Sequence, residues 1–151
     1  MVGLRGGRTL RRAVVMVSVV VAGVAVAGVS AASGPAVSIR GITSVRLDRH
    51  FNYVVSGTAT TDANHLVAWE QYVKGGGCAS TFAGESSRAL VQPPAKYQTT
   101  LWLNTSVSGK FSLTAQLGAQ QLGVHGVCVY LINLSTGHTF AESGRFWKVH
   151  R

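Results

Sequence analysis

The chain has 151 residues, with 14 Lys and Arg against 5 Asp and Glu, a formal net charge of +9. That length suits one domain of ordinary size and excludes two independently folded ones. Four of the fourteen bases lie within the first twelve residues, so the rest carries ten bases and five acids, a net of +5. Those ten run from Arg40, Arg46 and Arg49 through Lys74, Arg88, Lys96 and Lys110 to Arg145, Lys148 and Arg151. They are scattered, whereas nucleic-acid binders gather such residues on one face or arm, so no nucleic-acid partner is expected. Ordinary surface charge accounts for them, with loose attraction to an acidic cell wall or anionic lipid as the functional alternative.

Residues 1–32 read as an export signal. Arg5, Arg8, Arg11 and Arg12 form a positive front, and an uncharged apolar run follows from Ala13 to Val29. The small residues Ser30, Ala31, Ala32 and Ser33 close it, which is the order of a secretory signal peptide. Cleavage is expected after Ala31 or Ala32, giving a secreted, extracellular protein. The rival reading is an uncleaved anchor at residues 13–32, with the domain outside. The uncharged stretch reaches Ile39 and is long enough to span a bilayer, which takes about 20 residues. Gly23, Gly28, Gly34 and Pro35 weaken its second half as a membrane helix. The Arg11-Arg12 pair is a faint twin-arginine signal. The membrane is therefore a partner only through an uncleaved leader.

About 119 residues remain after the leader. Residues 33–44 read as a short lead-in, and 45–151 as one β domain. Phe51–Thr60, FNYVVSGTAT, is rich in β-branched and aromatic residues and predicts a strand. Thr61-Asp62-Ala63-Asn64 supplies a turn into a second strand over His65–Val73. Gly75-Gly76-Gly77 breaks that strand. Cys78–Gln92 has Ala79, Phe82, Ala83, Ser86 and Leu90 near helical spacing, so it is a short helix or an ordered loop ending at Pro93-Pro94. Tyr97–Asn104 predicts another strand. In Lys110–Leu117 the apolar Phe111, Leu113, Ala115 and Leu117 alternate with polar residues, the period of a half-buried strand. Val124–Asn133 is apolar on both faces, as a central strand covered on both sides must be. Ser135-Thr136-Gly137-His138 predicts a hairpin turn, and Thr139–Val149 a last strand with an irregularity at Ser143-Gly144. Six or seven short strands with regular turn signals predict an all-β fold. The expectation is an antiparallel immunoglobulin-like β-sandwich preceded by an N-terminal signal helix.

The two cysteines, Cys78 and Cys128, form an even count in a chain read as exported, and a disulfide is expected. A metal pair and a reactive thiol are the competing readings. No histidine or second cysteine lies within a few residues of Cys78 to complete a metal set. Trp69 on an early strand and Cys128 on a late one suit an immunoglobulin-like layout. Cys78, however, lies beyond the Trp69 strand, so the bridge should pin a loop to a sheet and not cross between two sheets.

The late region, GKFSLTAQL followed by GVHGVCVYLINLSTGHTFAESGRF, resembles small secreted proteins of actinobacteria. Those carry a strand ending in a Ser/Gly turn, a Gly-x-Tyr-x-x-Cys-x-Tyr-Leu strand, a Thr-Gly hairpin and a final strand. Cys78-Ala79-Ser80-Thr81-Phe82 is similar to their earlier cysteine segment. The resemblance covers roughly residues 51–149 and implies an immunoglobulin-like sandwich with no catalytic residues to carry over. The chain departs from it at His125, where an aromatic residue belongs.

The polar residues worth testing are Asp62, His65, Glu70, His125 and His138. Ser80, His125 and Glu85 compose a hydrolytic triad on paper, but no Gly-x-Ser-x-Gly elbow surrounds any serine. The five acids are widely spaced and the histidines lack metal spacing. Tyr72, Trp102 and Trp147 could form a sugar-binding aromatic strip, or could pack in the core and at its edges. The expectation is a secreted or cell-surface binding or structural module without catalytic activity, cofactor or metal. Its partner would be a protein or the cell envelope. The alternative is a small exported hydrolase-like enzyme.

Overall fold

Alternation of apolar and polar residues builds most of this fold. A computed structural model describes residues 34–72, 77–91 and 100–151. The leader, with its signal-helix and cleavage expectations, and the Gly75-Gly76 and Pro93-Pro94 breaks lie outside them. The described residues form β1 (Ala36–Arg40), β2 (Ser44–Arg46), β3 (His50–Thr58), β4 (His65–Tyr72), α1 (Phe82–Val91), β5 (Thr100–Ser106), β6 (Lys110–Gly118), β7 (Gly123–Ile132) and β8 (Thr139–His150).

Two sheets result. One has three strands in the order β1-β3-β6, and the other five in the order β2-β8-β7-β4-β5. On β3, Tyr53 and Val55 point inward while Asn52 is exposed. On β6, Ala115 and Leu117 point inward while Ser112, Thr114 and Gln116 are exposed. These meet Leu66 and Ala68 of β4, Val127, Val129 and Leu131 of β7, and Trp147 and Val149 of β8. Each such aliphatic side chain contributes about 1.5–3 kcal/mol when withdrawn from water. The core therefore lies between the sheets, as in any face-to-face sandwich.

Strand β7 sits between β4 and β8 and is buried from His125 to Ile132, which bears out its doubly apolar sequence. The turn read at Ser135-Thr136-Gly137-His138 also forms, between β7 and β8. The Asn133 side-chain oxygen accepts the Ser135 and Thr136 N–H groups, and Gly137 takes a positive φ of 71°.

Two expectations need correction. The lead-in of residues 33–44 contains a strand: β1 pairs antiparallel with β3, Ala36 opposite Thr58 and Arg40 opposite Val54. Its short VSIR core continues the apolar leader in sequence, so local pattern hides it. The sandwich is antiparallel as expected in every pairing but one, β2 running parallel to β8. Finally, the β7–β8 ladder passes through Ser143 and Gly144 in register, and its shift falls between Leu131 and Ile132. Gly144 serves a different purpose, which the disulfide explains.

Candidate functional site: a stapled cap on the five-stranded sheet

Strand parity gives β7 a second apolar face. Cys128, Tyr130 and Ile132 point away from the inter-sheet core and form a separate cluster with Val67. Half-buried Trp69, Cys78 and Phe82 pack against it. The segment around Cys78 and the helix α1 thus cover the outside of the five-stranded sheet.

Thr81 starts that helix. Its carbonyl accepts the Glu85 N–H at 3.0 Å, and its hydroxyl accepts the Gly84 N–H at 3.1 Å, an N-cap arrangement. Phe82 opens the first turn, its N–H donating to the Thr139 hydroxyl at the start of β8. Its ring lies 6.2 Å from Trp69 and 6.1 Å from Tyr130.

One turn on, Glu85 is only 1% exposed. Its Oε2 accepts the Ala79 N–H at 2.7 Å and lies 2.9 Å from the Tyr130 hydroxyl. That hydroxyl is also 3.0 Å from the Ala79 carbonyl, so its single proton is held between two acceptors. Burial pushes the Tyr130 phenol well above its ordinary range, and the Glu85 carboxylate pushes it further. Arg88, one turn after Glu85, donates to the Gly77 carbonyl at 2.9 Å and stands 3.9 Å from the Glu85 carboxylate. A buried carboxylate is costly unless hydrogen-bonded. Here its bonds tie the cap backbone to the sheet.

The disulfide completes the attachment. Cys78 and Cys128 are bonded, with Cα atoms 5.5 Å apart and a sequence separation of 50. The bridge pins the cap to β7, as the order of Trp69 and Cys78 implied. Trp69 stands directly opposite Cys128 in the β4–β7 ladder, on the outer face. The tryptophan and the bridge therefore meet under the helix and not between the sheets. Gly144 is the ladder partner of Cys128 on the other side. A Cβ there would lie 2.5 Å from the Cys78 sulfur, so glycine provides the room for the bridge.

The paper triad does not assemble. Glu85 is under the cap on the outer face, and Ser80 is exposed beside it. His125 points to the opposite face. Its ring stacks on Trp147, centroids 6.2 Å apart and planes 12° off parallel, and Trp147 belongs to the inter-sheet core. Burial lowers the His125 pKa, and a hydrogen bond of 2.7 Å to the Gln121 carbonyl opposes that.

The remaining residues are dispersed. His65 is buried on β4 and bonded to the Asn104 side chain, and its Nδ1 has no hydrogen bond among the described residues. Asp62 is exposed in the turn before β4. His138 is exposed with its ring edge-on to Phe140. Glu70 is half-buried opposite Val127. Of the aromatic strip, Trp147 is in the core, edge-on to Phe51 at 5.0 Å. The side chains of Tyr72 and Trp102 lie outside the described residues. Among the described residues no three His, Cys, Asp or Glu side chains gather as metal ligands do.

Two groups escaped sequence reasoning. Tyr53 is buried, its hydroxyl has no hydrogen-bond partner among the described residues, and burial followed by the Glu70 charge raises its pKa. Arg145 reaches from β8 to donate to the Gly41 carbonyl at 2.7 Å. Neither has a sequence signature, since both depend on which strands face each other.

No family model matches the chain, and no curated protein sequence matches it. Among solved structures it is similar to the CARDB domain of the PF1109 protein of Pyrococcus furiosus, described in complex with di-metal ions. The superposition has a TM-score of 0.50 at 14% identity, and covers 78% of this chain and 90% of that one. The fold is an immunoglobulin-like β-sandwich. At that identity the likeness extends to architecture alone.

Proposed function

We propose that this chain is exported and that its sandwich acts outside the cell as a binding module without catalytic activity. The observation that carries the reading is the stapled cap. Its one buried carboxylate and its two cysteines are consumed in holding backbone to sheet. The disulfide accords with an oxidising compartment and with the leader of residues 1–32. A CARDB-like architecture and the resemblance to small secreted actinobacterial proteins both accord with a module of this kind.

The alternative of a small exported hydrolase has less support. A hydrolytic nucleophile, base and acid must lie within hydrogen-bond reach of one another. Here the sheet itself separates Ser80 and Glu85 from His125.

Mass spectrometry of the culture medium tests export. The expected species begins at Ala32 or Ser33 and contains no free thiol. Intact chain beginning at Met1 in the membrane fraction would establish the anchor instead. Two free thiols in unreduced protein would remove the case for export. Turnover of an ester, peptide or glycoside substrate, abolished by His125→Ala in a folded variant, would establish the enzyme reading.

A further inference from the structure

The outer face of the three-stranded sheet is largely polar. Register places Ser38, Ser56 and Ser112 in one row across β1, β3 and β6. Asn52 and Gln116 form a second row, Thr58 and Lys110 a third, and Arg40 and Thr114 flank Val54 in a fourth. Ser38 and Ser56 lie 3.1 Å apart, hydroxyl to hydroxyl, while the neighbouring Ser112 is exposed. Neighbours within a row lie about 4.8 Å apart from strand to strand, and successive rows about 6.7 Å apart along the strands, so the face is a shallow grid of hydroxyl and amide groups.

Its charge is one-sided. Arg40 and Lys110 are exposed, and neither makes an ion pair among the described residues. All five acids of the chain, Asp48, Asp62, Glu70, Glu85 and Glu142, lie outside β1, β3 and β6. Arg40 and Lys110 are four residues apart in register and two strands apart, a span of about 17 Å at ordinary sheet spacings. A single sugar or a simple anion cannot bridge that span.

We propose that this face binds a linear acidic polysaccharide. Arg40 and Lys110 pair with two of its carboxylates, and the serine row and the Asn52 and Gln116 amides hydrogen-bond its hydroxyls. The face suits other polyanions poorly. Among the described residues it presents no Phe, Tyr or Trp on which bases could stack, since Phe51, Tyr53 and Phe111 of these strands pack inward. It also lacks the apolar band that seats a protein on lipid. The proposal rests on the binding-module reading and names the ligand class for it.

The test uses the full disulfide-bonded chain and polygalacturonate, with neutral dextran, duplex DNA and phosphatidylglycerol vesicles as comparison probes. Calorimetry at low salt should show binding to polygalacturonate alone, weakening as salt rises. The Arg40→Gln/Lys110→Gln double variant should bind about tenfold more weakly, because two exposed ion pairs with the polymer no longer form. Lys148→Gln/Arg151→Gln removes the same charge from another part of the surface and should leave affinity within about twofold. Equal losses in the two double variants would make the attraction one of net charge and overturn the assignment. So would equal or tighter binding to DNA or vesicles, or no binding to polygalacturonate. Any of these sinks the ligand class while the module reading stands. Substrate turnover in the hydrolase assays sinks the module reading itself.

Discussion

Replacing Gly144 by alanine isolates the space that the bridge occupies. The added Cβ would lie 2.5 Å from the Cys78 sulfur and 3.3 Å from the Phe146 Cε2 atom. A normal contact needs more than another ångström from the sulfur. The Phe146 ring can turn aside, but the sulfur is bonded to Cys128 and cannot swing away. Relief must come from β8 or from the cap, and overpacking of this kind costs about 1–3 kcal/mol. For a domain of this length that lowers Tm by about 4–12 °C. The same substitution in a Cys78→Ala/Cys128→Ala background meets no sulfur. Gly144 is not among the positive-φ residues, so alanine there should be neutral or stabilising by up to about 1 kcal/mol. Thermal melts of the four proteins form a double-mutant cycle, with thiol titration reporting whether Gly144→Ala keeps the bond. Equal destabilisation in both backgrounds would refute the steric link between Gly144 and the disulfide.

Reduction of the wild-type bridge reopens a loop of 50 residues, worth about 4 kcal/mol by chain entropy. Tm should fall by about 15 °C while the far-UV spectrum at room temperature is kept. Tyr130→Phe leaves Glu85 with one donor fewer in a buried place and should cost about 1–3 kcal/mol in urea unfolding, with m unchanged. His125 has its pKa lowered by burial, so the folded state favours the neutral ring. Its contribution is present above the ordinary value of 6.5 and is lost as pH falls below it. Melts from pH 7.5 to 5 should show Tm dropping, with a shallower slope in His125→Gln.

Much of the sheet was legible because the side-chain period of a strand is short and local. Lys110–Leu117 shows its alternation openly, and Val124–Asn133 shows that both of its faces are covered. Parity is readable too. His125 and Cys128 are three residues apart on one strand and must point to opposite faces, which already separates the triad. What stayed hidden depends on distant partners. The VSIR segment becomes a strand only through its pairing with β3. Glu85 resembles a solvated acid, and nothing near it in sequence announces Tyr130, 45 residues away. Gly144 resembles a bulge because a glycine in a strand often is one. The sulfur it accommodates comes from across the cap.

The parallel pairing of β2 with β8 bears on the order in which the molecule assembles. Ser44–Arg46 bonds to Lys148–His150, and the Leu47 N–H donates to the His150 carbonyl. A nascent chain exposes β2 long before β8 exists, so this edge waits until β8 has been made. Pairing between such remote segments slows folding and lengthens the time for which β2 and β8 are open to other chains. A strand made about a hundred residues after β2 thus closes the sheet near where the domain begins, and a chain truncated before Lys148 would leave that edge unclosed.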